Sequence, residues 1–221
     1  MPLTRRQGRT PRVRRPGGLP KKDANCITLH YGLSRRDKID YPDRMIIDLD
    51  PSSSDFSMVK FAAFRLKDLL DDLELESFVQ LTGSRGMHIV VPLDRSENFD
   101  RVHAFAREIA ERLAERHPRE LTVEQRKGQR GRRVFLDYMR NSRAQTGVAP
   151  YAVRAREGAP VAAPITWEEA RTRGICADKY DIKTIFRALA KRGDPWSRID
   201  RHPNSLKKAR VRLEAIQKSQ V

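Results

Sequence analysis

Cysteine is almost absent from this chain. Its two examples, Cys26 and Cys176, lie far apart with no metal-type spacing, which excludes a disulfide framework or a cysteine-based zinc site and leaves two ordinary buried or half-buried thiols. Long apolar runs are missing too. No segment approaches the roughly 20 residues of a membrane span, and the first residues lack the apolar stretch of a secretory signal, so an intracellular, cytoplasmic protein without membrane contact is expected. Aromatic residues make up only 7%, with few on the candidate strands, which counts against a sheet that binds nucleic acid by stacking alone. Acids are outnumbered: 29 Asp and Glu face 45 Lys and Arg, for a formal charge of +16 over 221 residues. Such a balance suits a polyanionic partner and not a cationic or neutral metabolite. Taken alone, it describes equally well a basic protein with solvated Lys and Arg faces.

Part of the charge is local. Arg5, Arg6, Arg9, Arg12, Arg14, Arg15, Lys21 and Lys22 sit among Pro and Gly with little to bury, so residues 1–24 read as a disordered basic arm able to touch phosphates, Arg12, Arg14 and Arg15 included. Residues 25–221 then form one domain, and no internal repeat is apparent. Within it, residues 45–49 (MIIDL) read as a strand. A helix follows, with Val59, Ala62, Ala63, Leu66, Leu69, Leu70 and Leu73 on one face and Ser57 as its N-cap. Residues 77–81 and 87–93 are strands around a Gly-rich turn. A second amphipathic helix begins near Asn98, and LTVEQ and RRVFLDYM supply two further strands. The order matches a split βαβ sheet with helices on one face and the other face open, an α+β plan of the ferredoxin or RNA-recognition-motif kind. Residues 149–154 are expected as another strand, and helices are expected near residues 167–171, 182–191 and 205–218.

Two acids interrupt this apolar pattern at its first strand. Residues two apart in a strand share a side, so Asp48 and Asp50 project together while Ile47 and Leu49 face the helices. Paired carboxylates repel unless a proton or cation lies between them, and hard oxygen ligands suit Mg²⁺ or Mn²⁺. A solvated strand end explains such a pair equally well. In Thr82-Gly83-Ser84-Arg85-Gly86-Met87-His88, the glycines permit close backbone approach, Ser84 and Arg85 offer donors to phosphate oxygens, and His88 follows. Asp137, in VFLDY, is a third acid on an apolar strand, where an unpaired charge is costly. A shared metal site accounts for all three.

PDRMIIDLDPS, TGSRGMHIVVPL and RVFLDYMRNSRAQTGVAPYAVRAREGAPVAAPITWEE, in that order, resemble the polymerase domain of the bacterial DNA ligase D system, in the archaeo-eukaryotic primase superfamily. The likeness runs from about Asn25 to the end and includes DPWSRI. It implies a primase-polymerase core of the RNA-recognition-motif type with C-terminal helices, and addition of (ribo)nucleotides to DNA 3′ ends in non-homologous end joining. By position it makes Asp48, Asp50 and Asp137 the catalytic metal acids for Mn²⁺ or Mg²⁺. Ser84, Arg85, Gly86 and His88 match the motif that holds the incoming nucleoside triphosphate, with Arg85 where the family usually has Lys. Arg154 matches a basic position on the triphosphate side, and His30 a histidine before the first motif. Implied partners are DNA ends, an end-binding protein and a separate ligase, at the nucleoid.

The resemblance departs at the N-terminus, where the family's segment carrying a Lys and aromatic contacts is replaced by the basic arm. A short stand-alone version and a fragment with an incomplete pocket are both consistent with that. Two other classes compete. Asp48-Leu49-Asp50-Pro51-Ser52 also resembles the haloacid-dehalogenase phosphatase motif, but the strand, turn, strand arrangement around His88 argues against the doubly wound sheet that family needs. A non-catalytic nucleic-acid-binding module predicts metal-independent DNA binding indifferent to Asp48→Ala.

Overall fold

Thirteen regular elements order the chain in the computed structural model, which describes residues 27–201 and 203–218. They are β1 (His30–Gly32), β2 (Arg44–Pro51), α1 (Phe56–Asp72), β3 (Phe78–Leu81), β4 (Met87–Pro92), α2 (Phe99–Arg116), β5 (Leu121–Thr122), β6 (Val134–Asp137), β7 (Thr146–Val148), β8 (Pro164–Ile165), α3 (Trp167–Arg171), α4 (Ile185–Arg192) and α5 (Leu206–Lys218). The basic arm with Arg12, Arg14 and Arg15, and Cys26, lie outside the described residues. Among the described residues no helix is long and apolar enough to cross a membrane.

Six strands form one mixed sheet in the order β5-β6-β2-β4-β3-β8, and β1 pairs with β7 in a separate ribbon. The sheet is antiparallel except for β5 and β6, which run parallel. Alternation along β2 decides the layers: Met45, Ile47 and Leu49 enter the main core with Val79, Leu81, Met87, Ile89, Val91, Val134 and Leu136 of its neighbours. Against them pack Val59, Ala62, Leu66 and Leu70 of α1, Val102, Phe105, Ile109 and Leu113 of α2, and Leu206, Ala209 and Leu213 of α5. Each of the larger side chains is worth about 1.5–3 kcal/mol of burial, so this layer is what the fold rests on. On the opposite face, Ile46 and Val90 are covered by Leu33, Phe99 and Trp196. That face is therefore open only over its other half, where Asp48 and Asp50 lie.

Several expectations need correction. The N-cap of α1 is Asp55, whose carboxylate accepts from the Ser57 amide at 2.9 Å; Asp is as good a cap as Ser, and the helix begins two residues earlier than that reading placed it. Residues 149–154 are not a strand. Pro150 and Tyr151 make a turn there, closed by Ala152 N donating to Ala149 O at 3.0 Å with Tyr151 at φ 64°, and only Val153 forms a bridge, to Val161. LTVEQ contributes two strand residues, because the Thr122 hydroxyl accepts from the Glu124 amide and turns the chain away. Helix α4 starts at Ile185, since Asp181 ties the amides of Lys183 and Thr184 into a turn first.

Two polar groups hold the frame. Asn141 is fully buried; its Oδ1 accepts from Ile46 N at 2.8 Å, and its Nδ2 donates to Ile46 O at 2.6 Å and Tyr138 O at 2.8 Å. It thus completes the edge of β2 beyond the last residue of β6. Asp43, just before β2, accepts from Arg35 at 2.7 Å and Arg44 at 3.1 Å. Burial disfavours its charge, yet Arg44 and Arg35 outweigh that and hold its carboxyl below the usual range.

Asn141→Ala strands both Ile46 groups in the core and is expected to lower unfolding free energy by about 2–4 kcal/mol, read as a shifted urea midpoint. The lowered pKa of Asp43 means that its contribution is fully present above the unfolded value, near 4, and is lost as pH falls through the folded value. Asp43→Asn should therefore flatten the acid limb of a stability-against-pH curve below about pH 4.

Candidate active site

Register across the sheet lays four polar residues side by side. Asp137 of β6 stands opposite Asp48 of β2, Asp48 opposite His88 of β4, and His88 opposite Gln80 of β3. Asp50 follows two residues along β2, opposite Phe135. All point away from the helices, because the intervening residues fill the core.

Asp48, Asp50, Asp137 and His88 of this row floor a cleft of about 270 Å³, the walls of which include His30, Thr82, Ser84, Arg85, Gly86, Arg130, Arg140, Val148 and Arg154. Every candidate residue of the described chain thus lies in one place: Asp48, Asp50, Asp137, Ser84, Arg85, Gly86, His88, Arg154 and His30. Their roles differ in exposure. His88 and Asp48 are buried, Arg85 and His30 exposed. His30 reaches the cleft through the ribbon, paired with Val148, and its Nδ1 lies 3.2 Å from Thr28 O.

Two arginines in the wall were not singled out from the sequence. Arg140 binds Asp48 through Nη2 at 2.7 Å and Nε at 2.8 Å, and its Nε is 3.8 Å from Asp137. Arg130 is buried, held by Glu124 O and Gln125 O at 2.8 Å each, lies 3.9 Å over the Phe135 ring and donates to Asp50 at 3.2 Å. Arg140 was findable as the basic residue one helical turn past Asp137. Arg130 was not, for it is one of several arginines in a turn without periodicity.

The electrostatics follow from this arrangement. Burial works against the charge of Asp48, but His88, with Nε2 at 3.4 Å, and Arg140 overcome it and bring its carboxyl down to about 2. Asp137 moves the other way, pushed up by burial and then by the charge of Asp48. Arg85 adds a contact to Asp50 at 3.3 Å. Four arginines face three carboxylates here, so the cleft is net cationic and receptive to anions. Burial and the neighbouring Arg156 make the charge of Arg154 costlier, a strain an anionic ligand would relieve.

As they stand, these carboxylates answer to arginines, and among the described residues no group of three or more His, Cys, Asp or Glu is gathered as a metal cage. The donor set nonetheless fits a hard divalent cation: three carboxylates on adjoining strands, one of which, Asp137, is destabilised by its neighbour's charge.

The turn is fitted to β2 by its glycines. A Cβ on Gly86 would lie 2.0 Å from the Leu49 carbonyl oxygen, between the two acids, and one on Gly83, at φ +65°, would lie 2.8 Å from Arg154 Cγ and 2.9 Å from the Val161 carbonyl carbon. Thr82 locks the turn, its hydroxyl donating to Gly86 O at 3.0 Å. Gly86→Ala must push β2 and the turn apart. It is expected to lower unfolding free energy by about 1–3 kcal/mol, read as a lowered midpoint in a thermal melt.

Known proteins resemble this chain in sequence and fold. The family model of the LigD primase-polymerase domain matches residues 19–196. A multifunctional non-homologous end joining protein LigD of Pseudomonas aeruginosa is 36% identical over 175 residues, 77% of this chain and 21% of that protein. A bifunctional LigD of Bacillus subtilis is 32% identical over 164 residues, 73% of this chain and 27% of that protein. The chain therefore spans about a fifth to a quarter of the length of these relatives. The polymerase domain of Mycobacterium tuberculosis ligase D, solved in complex with DNA, superimposes with a TM-score of 0.69 at 30% identity, covering 74% of this chain and 57% of that one. With most of its length inside that family model, and a mixed α+β fold shared with a solved member, the chain belongs to the LigD primase-polymerase domain family.

Proposed function

We propose that this chain is a nucleotidyltransferase of DNA repair, which adds nucleotides to DNA 3′ ends during non-homologous end joining. One observation carries the reading. Three acids on paired strands and a Gly-Ser-Arg-Gly turn share a single net-cationic cleft, in a chain whose relatives are end-joining proteins. We read the strand order β6-β2-β4-β3, with α1 and α2 on one face, as the split βαβ core of the RNA-recognition-motif plan.

Asp48, Asp50 and Asp137 are the residues to hold Mn²⁺ or Mg²⁺. When bound there, a divalent ion stabilises charge on the transferring phosphoryl group and lowers the pKa of a primer 3′-hydroxyl. The protein's own part is binding and orientation. Ser84, Arg85 and the turn amides offer donors to the β and γ phosphates, with Arg154 beside them and His30 across the cleft. His88, fixed between Asp48 and Gln80 in the sheet, is aligned by the strands themselves. Arg140 and Arg130, bound to the acids, line the same cleft and are further cations placed to meet phosphates. DNA ends, nucleoside triphosphates, an end-binding protein and a separate ligase are the partners this reading calls for.

The test is primer extension on a recessed, 5′-phosphorylated DNA end with ribo- or deoxynucleoside triphosphates and Mn²⁺ or Mg²⁺. Extension by the wild type that falls at least a thousandfold in Asp48→Ala, Asp50→Ala supports the reading. A folded, DNA-binding wild type that extends nothing under any of these conditions removes it.

A further inference from the structure

Outside the cleft, the most unusual surface belongs to α4. Phe186 is 73% exposed and Ile182, in the turn leading into the helix, 44%. Within α4, four-residue spacing, about 6 Å along a helix, sets Phe186 and Ala190 in one ridge and Arg187 and Lys191 in the next, with Ile182 and Lys183 in the turn just before them, all six exposed. Helix α4 contains no acid. The neighbouring acids are engaged elsewhere: Asp181 accepts from Lys183 N, Thr184 N and the Thr184 hydroxyl, Glu169 pairs with Arg192 at 3.0 Å, and Asp194 accepts from Tyr151 at 2.6 Å. No ion pair among the described residues uses Lys183, Arg187 or Lys191.

We propose that this face of α4 docks single-stranded nucleic acid, its phosphates along Lys183, Arg187 and Lys191 and one base against Phe186. The inference rests on the polymerase reading for the supply of a DNA strand, but not on the catalytic residues. Three cations outside any ion pair, only one of which, Lys183, acts on a nearby carboxylate, Asp181, favour an anionic occupant in a chain already at +16. A second copy is disfavoured, because a two-fold contact through this face would set like-charged ridges against each other. An exposed ring beside a phosphate-binding ridge is what a single strand can use, since its bases present π-faces that a duplex hides.

Packing connects this face to the cleft. Ile185, on the inner side of α4, shares a cluster with Val161 and Ala163. The Val161 backbone in turn abuts Gly83, the start of the phosphate-facing turn. One packed layer thus separates the two surfaces, so a strand held on α4 would lie beside the active cleft.

The experiment uses the whole chain and a fluorescent thymidine oligonucleotide of about 16 nucleotides, with anisotropy followed across a salt series. Phe186→Ala should weaken binding about tenfold with an unchanged melting temperature and leave binding of a blunt duplex alone. Combined Lys183→Gln, Arg187→Gln, Lys191→Gln should reduce the slope of log affinity against log salt by about 2. Wild-type affinity and slope in both variants overturn the proposal. So does sedimentation in which Phe186→Ala converts a dimer to a monomer without touching oligonucleotide binding, which makes the face an interface between copies. Primer extension by the wild type separates the two readings. Intact extension with no oligonucleotide effect removes this proposal alone, and absent extension with the effect intact removes only the polymerase.

Discussion

The structure depends on a strand that must satisfy two incompatible environments. On β2, Met45, Ile47 and Leu49 need a dry helix layer, while Asp48 and Asp50 need solvent or counter-charge. The two-residue period of the pleat makes both available at once, and everything around the cleft serves to keep the charged side from collapsing the arrangement. Asp137 arrives beside Asp48 through pairing of β6, and the resulting repulsion is met by Arg140 and His88. Asp50 is met by Arg130 and Arg85. A buried carboxylate array without these partners would be expensive.

The way the arginines are held shows which are fixed and which can move. Arg130 has its guanidinium committed to two backbone carbonyls and a phenyl face, so its position is set by its own loop. Arg85 is exposed, with a single carboxylate contact, and Arg140 is held by Asp48 and by Thr146 O. A phosphate ligand entering the cleft would meet one rigid cation and others that can turn toward it, a mixture of preorganisation and adaptability.

Much of this was legible in the sequence, for reasons that can be named. Period-2 alternation at residues 45–49 gave the orientation of Asp48 and Asp50, and helical spacing gave the inner faces of α1 and α2, because burial over a long element leaves a regular trace. Asp48, Asp50, Asp137 and His88 fell into one cleft because their motifs sit on adjacent strands, and the turn between β3 and β4 brings Ser84, Arg85 and Gly86 with them. What escaped was local or non-periodic. The turn at Tyr151 interrupts a β-like composition through one residue at positive φ, and the cap at Asp55 differs from Ser57 by a choice between two good caps. Arg130 gains its meaning only from the fold, since one arginine among several in a turn carries no pattern. The covering of half the open face by Trp196 comes from a distant segment that no spacing rule connects to Ile46.

Asn141 has one more consequence. Where β6 stops, the outer edge of β2 would present a bare amide and carbonyl at Ile46, a template for any extended chain that came near. A side-chain amide supplies the donor and acceptor that a neighbouring strand would have supplied. The sheet is finished there without a further strand, which frees the backbone to swing Arg140 over the acids and leaves no bare amide and carbonyl at Ile46 for a second molecule to pair with.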